Sequence, residues 1–319
     1  MQPLLNQEDL AIQLKGRDFL GLSDYSPEEI RYLLDLAIEL KRKKKAGEVY
    51  QPLLGKTLGM IFEKSSTRTR VSFEVGMYQL GGHALFLSKN DIQMGRGETI
   101  SDTAQTMSRY LDGIIIRTFG HRNVVDLARG ATIPVINALS DRSHPCQALA
   151  DYQTVLEMKG RLEGLKIAYI GDGNNMSHSL MMGAAKLGMH FASASPAGYD
   201  PSADVVQHSK EVAAETGGRI DITRDAREAV EGADIVYTDV WASMGFEEEQ
   251  NERIQAFKSF QVNEELVKYA KSDYLFMHCL PAHRGEEVTE GVIDGKNSVI
   301  FDEAENRLHA QKAVMAAIM

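Results

Sequence analysis

The sequence predicts an α/β protein of two domains, each a parallel sheet flanked by helices. Three observations predict it. Short apolar runs that read as buried strands alternate with longer segments of helical spacing. That alternation starts afresh near Asp151. With 319 residues, 43% of them hydrophobic, the chain has twice the ~150 residues of one domain and ample apolar content for two cores.

In the first half, Ser26-Pro27-Glu28-Glu29 opens a helix with a capping hydroxyl, an early proline and early acids. It runs through Ile30–Ile38 to the basic end Lys41-Arg42-Lys43-Lys44-Lys45, which reads as a solvated C-terminus favoured by the helix dipole. Lys56–Phe62 reads as a buried strand, Val71–Leu80 as a helix stopped by Gly81-Gly82, and Ala84–Leu87 as a second strand. Thr99–Leu111 has a helical pattern, and Gly113–Arg117 and Ile133–Ile136 are further strands. In the second half, Asp151–Lys159 is helical and Leu165–Ile170 is a continuous apolar strand. A helix through Leu180–Leu187 follows, with strands at His190–Ala192, Ala233–Thr238 and Tyr274–Met277. The expected division is residues 1–150, residues 151–302, and a C-terminal helix over 303–319 that packs back on the first domain.

A net charge of −10 argues against nucleic acid as a partner. No apolar run reaches the ~20 residues of a membrane span, and the polar start is no signal peptide, so no membrane partner is expected. With only Cys146 and Cys279, a disulfide framework is not expected, and a reducing cytoplasm fits best.

The most informative run is Ser65-Ser66-Thr67-Arg68-Thr69-Arg70, on a strand-to-helix turn. Helix-start N–H groups attract anions, and hydroxyl donors and guanidinium forks add to that, so the run reads as a phosphate site. The plainer reading is a helix cap followed by solvated arginines, but a cap needs only one hydroxyl. Other polar groups end strands in the same way. Arg117 closes the Ile114–Ile116 strand. Ser143-His144-Pro145-Cys146-Gln147 opens a helix. Met277-His278-Cys279-Leu280-Pro281 closes another strand, with an X-Pro bond that can be cis. Singly, His144 serves equally as a helix-start residue and Cys279 as a small buried hydrophobe.

Gly171-Asp172-Gly173-Asn174-Asn175-Met176 invites a dinucleotide reading, but a third small residue is missing at Met176. The acid expected after the next strand is missing at Ser193-Ala194-Ser195 as well. No nicotinamide cofactor is expected, and the two asparagines are turn formers or ligand contacts. A zinc reading of His144 with Cys146 and His278 with Cys279 lacks the two-to-four-residue loop that orients a ligand pair, so no metal is expected. Asp239-Val240-Trp241-Ala242-Ser243-Met244-Gly245 ends the Ile235–Thr238 strand, and no Lys or Arg lies between Asp234 and Arg253. An amine would pair with Asp239 there, whereas a second carboxylate would find no cation. The charged Glu247–Glu252 stretch reads as a lid.

Taken together, Ser66-Thr67-Arg68-Thr69-Arg70, His144-Pro145-Cys146-Gln147, Asp239–Gly245 and His278-Cys279-Leu280-Pro281 resemble the aspartate/ornithine carbamoyltransferase family over nearly the whole chain. The last two motifs are those of its ornithine branch. The resemblance implies a carbamoyl-phosphate domain, an ornithine domain and an active site in the cleft between them. It implies transfer of the carbamoyl group of carbamoyl phosphate to the δ-amine of L-ornithine, giving citrulline and phosphate. The lack of added segments suggests the arginine-synthesising type.

By the family pattern, Ser66, Thr67, Arg68 and Thr69 hold the phosphate, and Arg117, His144, Gln147 and Arg307 sit about the carbonyl end. Gln93 reaches carbamoyl phosphate from a neighbouring subunit of a homotrimer, with active sites near the subunit interfaces. Asn175, Asp239, Ser243 and Met244 contact ornithine, and Cys279 and Leu280 lie near the attacking amine. Arg117, His144, Asp239 and Cys279 are the expected catalytic residues, and no cofactor is implied.

Overall fold

The computed structural model describes residues 7–94, 97–242 and 249–319. The chain forms two compact units, Met1–Gln153 with Glu305–Met319, and Thr154–Ala304. Within the first unit lie α1 (Gln7–Leu14), α2 (Pro27–Lys45), β1 (Thr57–Phe62), α3 (Thr67–Gln79), β2 (His83–Ser88), α4 (Ile100–Met107), β3 (Gly113–Arg117), α5 (His121–Gly130) and β4 (Val135–Leu139). Helix α6 (Pro145–Lys159) runs from the first unit into the second.

The first sheet is parallel in the order β2-β1-β3-β4. Its continuous apolar strands bury both faces, and Ile61, Ile114, Ile116 and Val135 share a core with Leu111, Val124 and Leu127. Helix α2 opens with a capping box in which Ser26 and Glu29 satisfy each other's backbone N–H groups. Its basic end is less solvated than the sequence suggests. Lys41 is buried against Asn306 at 2.7 Å, and Arg42 and Lys43 pair with Glu39 and Glu48.

Helix α3 starts four residues before the expected Val71, because Ser66 caps it and the hydroxyl and arginine residues form its first turn. Those residues lack the apolar spacing that reveals a helix, so its start was hidden. Strand β4 lies two to three residues beyond the expected Ile133–Ile136, since Pro134 has no N–H to give a ladder.

In the second unit are β5 (Lys166–Ile170), α7 (Asn175–Lys186), β6 (His190–Ala194), α8 (Ala203–Thr216), β7 (Arg219–Thr223), α9 (Ala226–Val230), β8 (Ile235–Thr238), α10 (Gln250–Phe257), β9 (Leu275–Met277) and α11 (Glu290–Ile293). The sheet is parallel, in the order β7-β6-β5-β8-β9. Strand β7 has no counterpart among the expected strands. It is an edge strand only partly buried, so its sequence carries no apolar run. The single Trp241 is buried and stacks on Phe257 at 5.9 Å in the core of this unit.

Helix α12 (Ile300–Ile318) begins in the second unit and ends in the first. Within the first unit it lies close on α3. A Cβ at Gly76 would meet Met315 Cε at 3.1 Å and Lys312 Cγ at 3.2 Å, and Lys312 donates to Gln79 Oε1 at 3.0 Å.

Candidate active site

Strand order places the functional groups. In an open parallel sheet, ligands bind beyond the carboxyl ends of the strands, where the order reverses direction. In the first sheet the reversal falls between β1 and β3, and in the second between β5 and β8. The Ser66–Thr69 turn follows β1, and Arg117 ends β3. The Gly171–Asn175 turn follows β5, and Asp239 follows β8.

In the first unit, Ser66 Oγ accepts from the Thr69 N–H at 3.2 Å and caps α3, a helix start of the kind that attracts anions. Thr69 is fully buried, and its hydroxyl accepts from Arg307 Nη2 at 3.2 Å. Arg307 also donates to Gln147 Oε1 at 2.6 Å, and Gln147 donates to Asp151 Oδ1 at 2.8 Å. The β3–β4 register shifts between Ile116 and Arg117, so the buried Arg117 faces Leu139 while it stays in step with Phe62 of β1.

Burial holds the His144 pKa well below the usual imidazole range, and the charges of Arg307, Arg117 and Arg68 depress it further. Those three cations thus converge on one neutral ring. Burial pushes the Cys146 thiol up to about 12 against the opposing pull of Arg307, and Cys146 Sγ donates to Asn137 O at 3.5 Å, so it is an inert packed thiol. Gln93 is exposed on the stretch after β2 and makes no hydrogen bond to this group among the described residues.

In the second unit, Asp239 is 7% exposed. Its carboxylate accepts from Asn174 Nδ2 at 3.0 Å, Cys279 Sγ at 3.1 Å and its neighbour Val240 N at 2.8 Å. Asn174 is therefore a partner of Asp239. It also caps α7 through Met176 N and Ser177 N, while Asn175 is the first helical residue. The turn's glycine serves packing, because a Cβ at Gly173 would lie 2.1 Å from Pro201 N. Tyr169 donates to Asn174 Oδ1 at 3.1 Å. Its pKa is well above the phenol range, through burial and then the nearby Asp239, Asp172 and Cys279.

Arg253, the first cation after the Asp239 stretch, is already engaged. It donates to Asp172 at 2.8 Å, Trp241 O at 2.9 Å and Glu249 at 3.0 Å. Burial raises the Asp172 pKa despite this pairing. Ser243 and Met244 lie outside the described residues. Of the expected lid, Glu247 and Glu248 also lie outside the described residues, and Gln250–Glu252 form the first turn of α10.

His278 makes its two ring nitrogens structural. Nδ1 accepts from Leu280 N at 2.9 Å, so the proton sits on Nε2, which faces the fully buried Glu287 at 3.2 Å. Leu280 has φ of 56°, and its bond to Pro281 is cis. Asp239, His278 and Cys279 offer ligand atoms within 4.8 Å of one another, but a metal there would have to displace these bonds. Glu287, Asp172 and Arg253 escape sequence reasoning as parts of the site, because each reads as an ordinary surface or turn residue until its partner is known.

Residues 17–157 match the carbamoyl-P binding domain of aspartate/ornithine carbamoyltransferase, and residues 163–318 match its Asp/Orn binding domain. The chain is 66% identical over 308 residues to the ornithine carbamoyltransferase of Anoxybacillus flavithermus, covering 97% of this chain and 98% of that one. It is 57% identical to a Pyrococcus furiosus protein named ornithine carbamoyltransferase, anabolic, over 97% of this chain and 98% of that one. A solved structure of the ornithine carbamoyltransferase from Pyrococcus furiosus superposes with a TM-score of 0.94 at 58% identity, covering 96% and 98% of the two chains. The chain belongs to the aspartate/ornithine carbamoyltransferase family.

Proposed function

We propose that this chain is an ornithine carbamoyltransferase, transferring the carbamoyl group of carbamoyl phosphate to the δ-amine of L-ornithine in arginine biosynthesis. One observation carries the reading. In one unit Arg307, Arg117 and Arg68 act on a buried, neutral His144, and in the other an acid stands on a stretch whose next cation along the chain, Arg253, is committed elsewhere. The first suits a phosphate and a developing oxyanion. The second suits an amino acid's ammonium group and offers no clamp for a second carboxylate.

The phosphate of carbamoyl phosphate is assigned to the α3 N-terminus with Ser66, Thr67, Arg68 and Thr69. Arg117, His144, Gln147 and Arg307 surround the carbonyl. A neutral imidazole donates one N–H to the developing oxyanion without first giving up a proton, and fixed donors of this kind contribute about 3–4 kcal/mol each. Phosphate is a capable leaving group, so direct attack by the amine suffices. The amine is the obstacle. With a pKa of ~10.4, about one in 2,500 is neutral at pH 7, a deficit of roughly 4.6 kcal/mol.

Asp239 is assigned to the α-ammonium, with Asn175, Ser243 and Met244 as further ornithine contacts. Cys279 and the Leu280 backbone position the δ-amine. Gln93, exposed in the single chain, is assigned to a neighbouring active site in a homotrimer. The two free cysteines, and the lack of any described helix able to cross a membrane, suit a cytoplasmic enzyme.

The test is phosphate release from carbamoyl phosphate, with ornithine, aspartate and putrescine as alternative acceptors and citrulline measured in parallel. Equal phosphate and citrulline with ornithine alone are expected. Turnover with aspartate or putrescine in preference to ornithine would overturn the substrate assignment.

A further inference from the structure

We propose that Glu63 is a positioning residue for the carbamoyl phosphate site, a bracket that sets the spacing of the strand ends carrying the phosphate and carbonyl groups. The proposal rests on the function assigned above.

The register of the first sheet puts Ser88, Phe62 and Arg117 in one row across β2, β1 and β3. The next row is Lys89, Glu63 and Thr118, where the chain leaves the sheet in three directions. Backbone bonds persist one step further, from Glu63 N to Arg117 O at 2.8 Å and from Lys89 N to Phe62 O at 3.0 Å. Beyond them the ladder has no reach, and the Glu63 side chain takes over. Its carboxylate accepts from Thr118 Oγ1 on one side and pairs with Lys89 Nζ at 3.2 Å on the other. Asn123 Nδ2 donates to Thr118 Oγ1 at 3.0 Å, which commits the Thr118 hydroxyl proton to Glu63.

The side chain of Glu63 is only 6% exposed. Burial acts to raise its pKa, yet the bonds from Thr118, Lys89 and the Phe119 amide outweigh it and hold the carboxyl below its usual range. One ionised carboxylate therefore ties three strand ends at the reversal point of the sheet. From these ends issue Arg117, the Ser66–Thr69 turn and the stretch leading to Gln93. None of the bracket's own groups is assigned to substrate. Their role is to keep Arg117 and the α3 N-terminus at one fixed separation, and a shift of an ångström in such a frame is enough to cost ~10²-fold in rate.

The experiment compares Thr118→Val, Thr118→Ser and Glu63→Gln with wild type, all assayed well below the lowest Tm. Thr118→Val and Glu63→Gln are expected to lower kcat/KM for carbamoyl phosphate by about ten- to a hundredfold, with ornithine KM within about twofold. Thr118→Ser, which keeps the hydroxyl, is expected to restore most of the loss. The rise in Tm produced by saturating carbamoyl phosphate reads the same site without turnover, and it should shrink in Thr118→Val and not in Thr118→Ser. Equal loss with both substrates, or a serine variant as impaired as valine, would overturn the bracket and leave a general effect on folding. Wild-type protein that gains Tm from carbamoyl phosphate but makes no citrulline would strike the proposed function and leave the bracket standing.

Discussion

The two units bury ions at the same place in their sheets and use them in opposite senses. In the first, burial and then the charges of Arg307, Arg117 and Arg68 keep His144 neutral, so the site holds an excess of positive charge. In the second, Arg253 is bonded to Asp172 and Glu249, and among the described residues Asp239 is held by neutral donors in its hydrogen bonds. A side chain's charge does not decide what a site attracts. What decides it is which charges the fold has already cancelled.

The sharpest break of that comparison is to remove a cation from the first unit. Arg117→Ala should lower kcat by about 10²–10³-fold while ornithine binding is little changed, measured by steady-state kinetics. Equal loss through ornithine KM would mean that the sites are not specialised as assigned.

In the second unit, Asp239→Asn and Cys279→Ser should part company. The first should raise ornithine KM by about 10-fold or more, and the second should lower turnover. A common loss of turnover with unchanged ornithine KM would erase that division.

The cancelled cation supplies the next test. Arg253→Gln should leave Asp172 unpaired beside Asp239 and weaken ornithine binding by about 10-fold, and adding Asp172→Asn should recover part of it, as a double-mutant cycle reports. Additive losses would show that Arg253 acts only by holding the Trp241 carbonyl.

Two smaller effects concern stability. Burial, with the charges of Lys312, Lys44, Lys41 and Lys45, brings the His309 pKa down to about 3, and His144 is lowered as well. An unfolded histidine takes up a proton below its ordinary value of 6.5 while these two do not, so stability falls as pH drops from there toward about 3. Tm should therefore decline from pH 7 to pH 5, and less so in His309→Leu. Smallest, Ser26→Ala should cost about 1 kcal/mol by removing the α2 cap, with kinetics unchanged.

Much of the fold was legible in the chain. Leu165–Ile170 and Gly113–Arg117 are runs of apolar residues that suit only a buried parallel strand, and polar groups at their ends mark where a ligand site begins. Helix caps were legible where their residues adjoin, as at Ser26-Pro27-Glu28-Glu29. Helix α3's true start was not, because Thr67-Arg68-Thr69-Arg70 carries no apolar period.

By itself, then, the sequence determined the local elements, the doubly parallel architecture and the motifs of the family, because strand, turn and cap signals are carried by neighbours in the chain. Only the tertiary structure decided that Glu63 reaches Thr118 and Lys89, that Arg307 joins Thr69 to Gln147, and that Arg253 is spent on Asp172. Each of those depends on strand order and register, which bring together groups up to 238 positions apart, and no local pattern encodes such a distance.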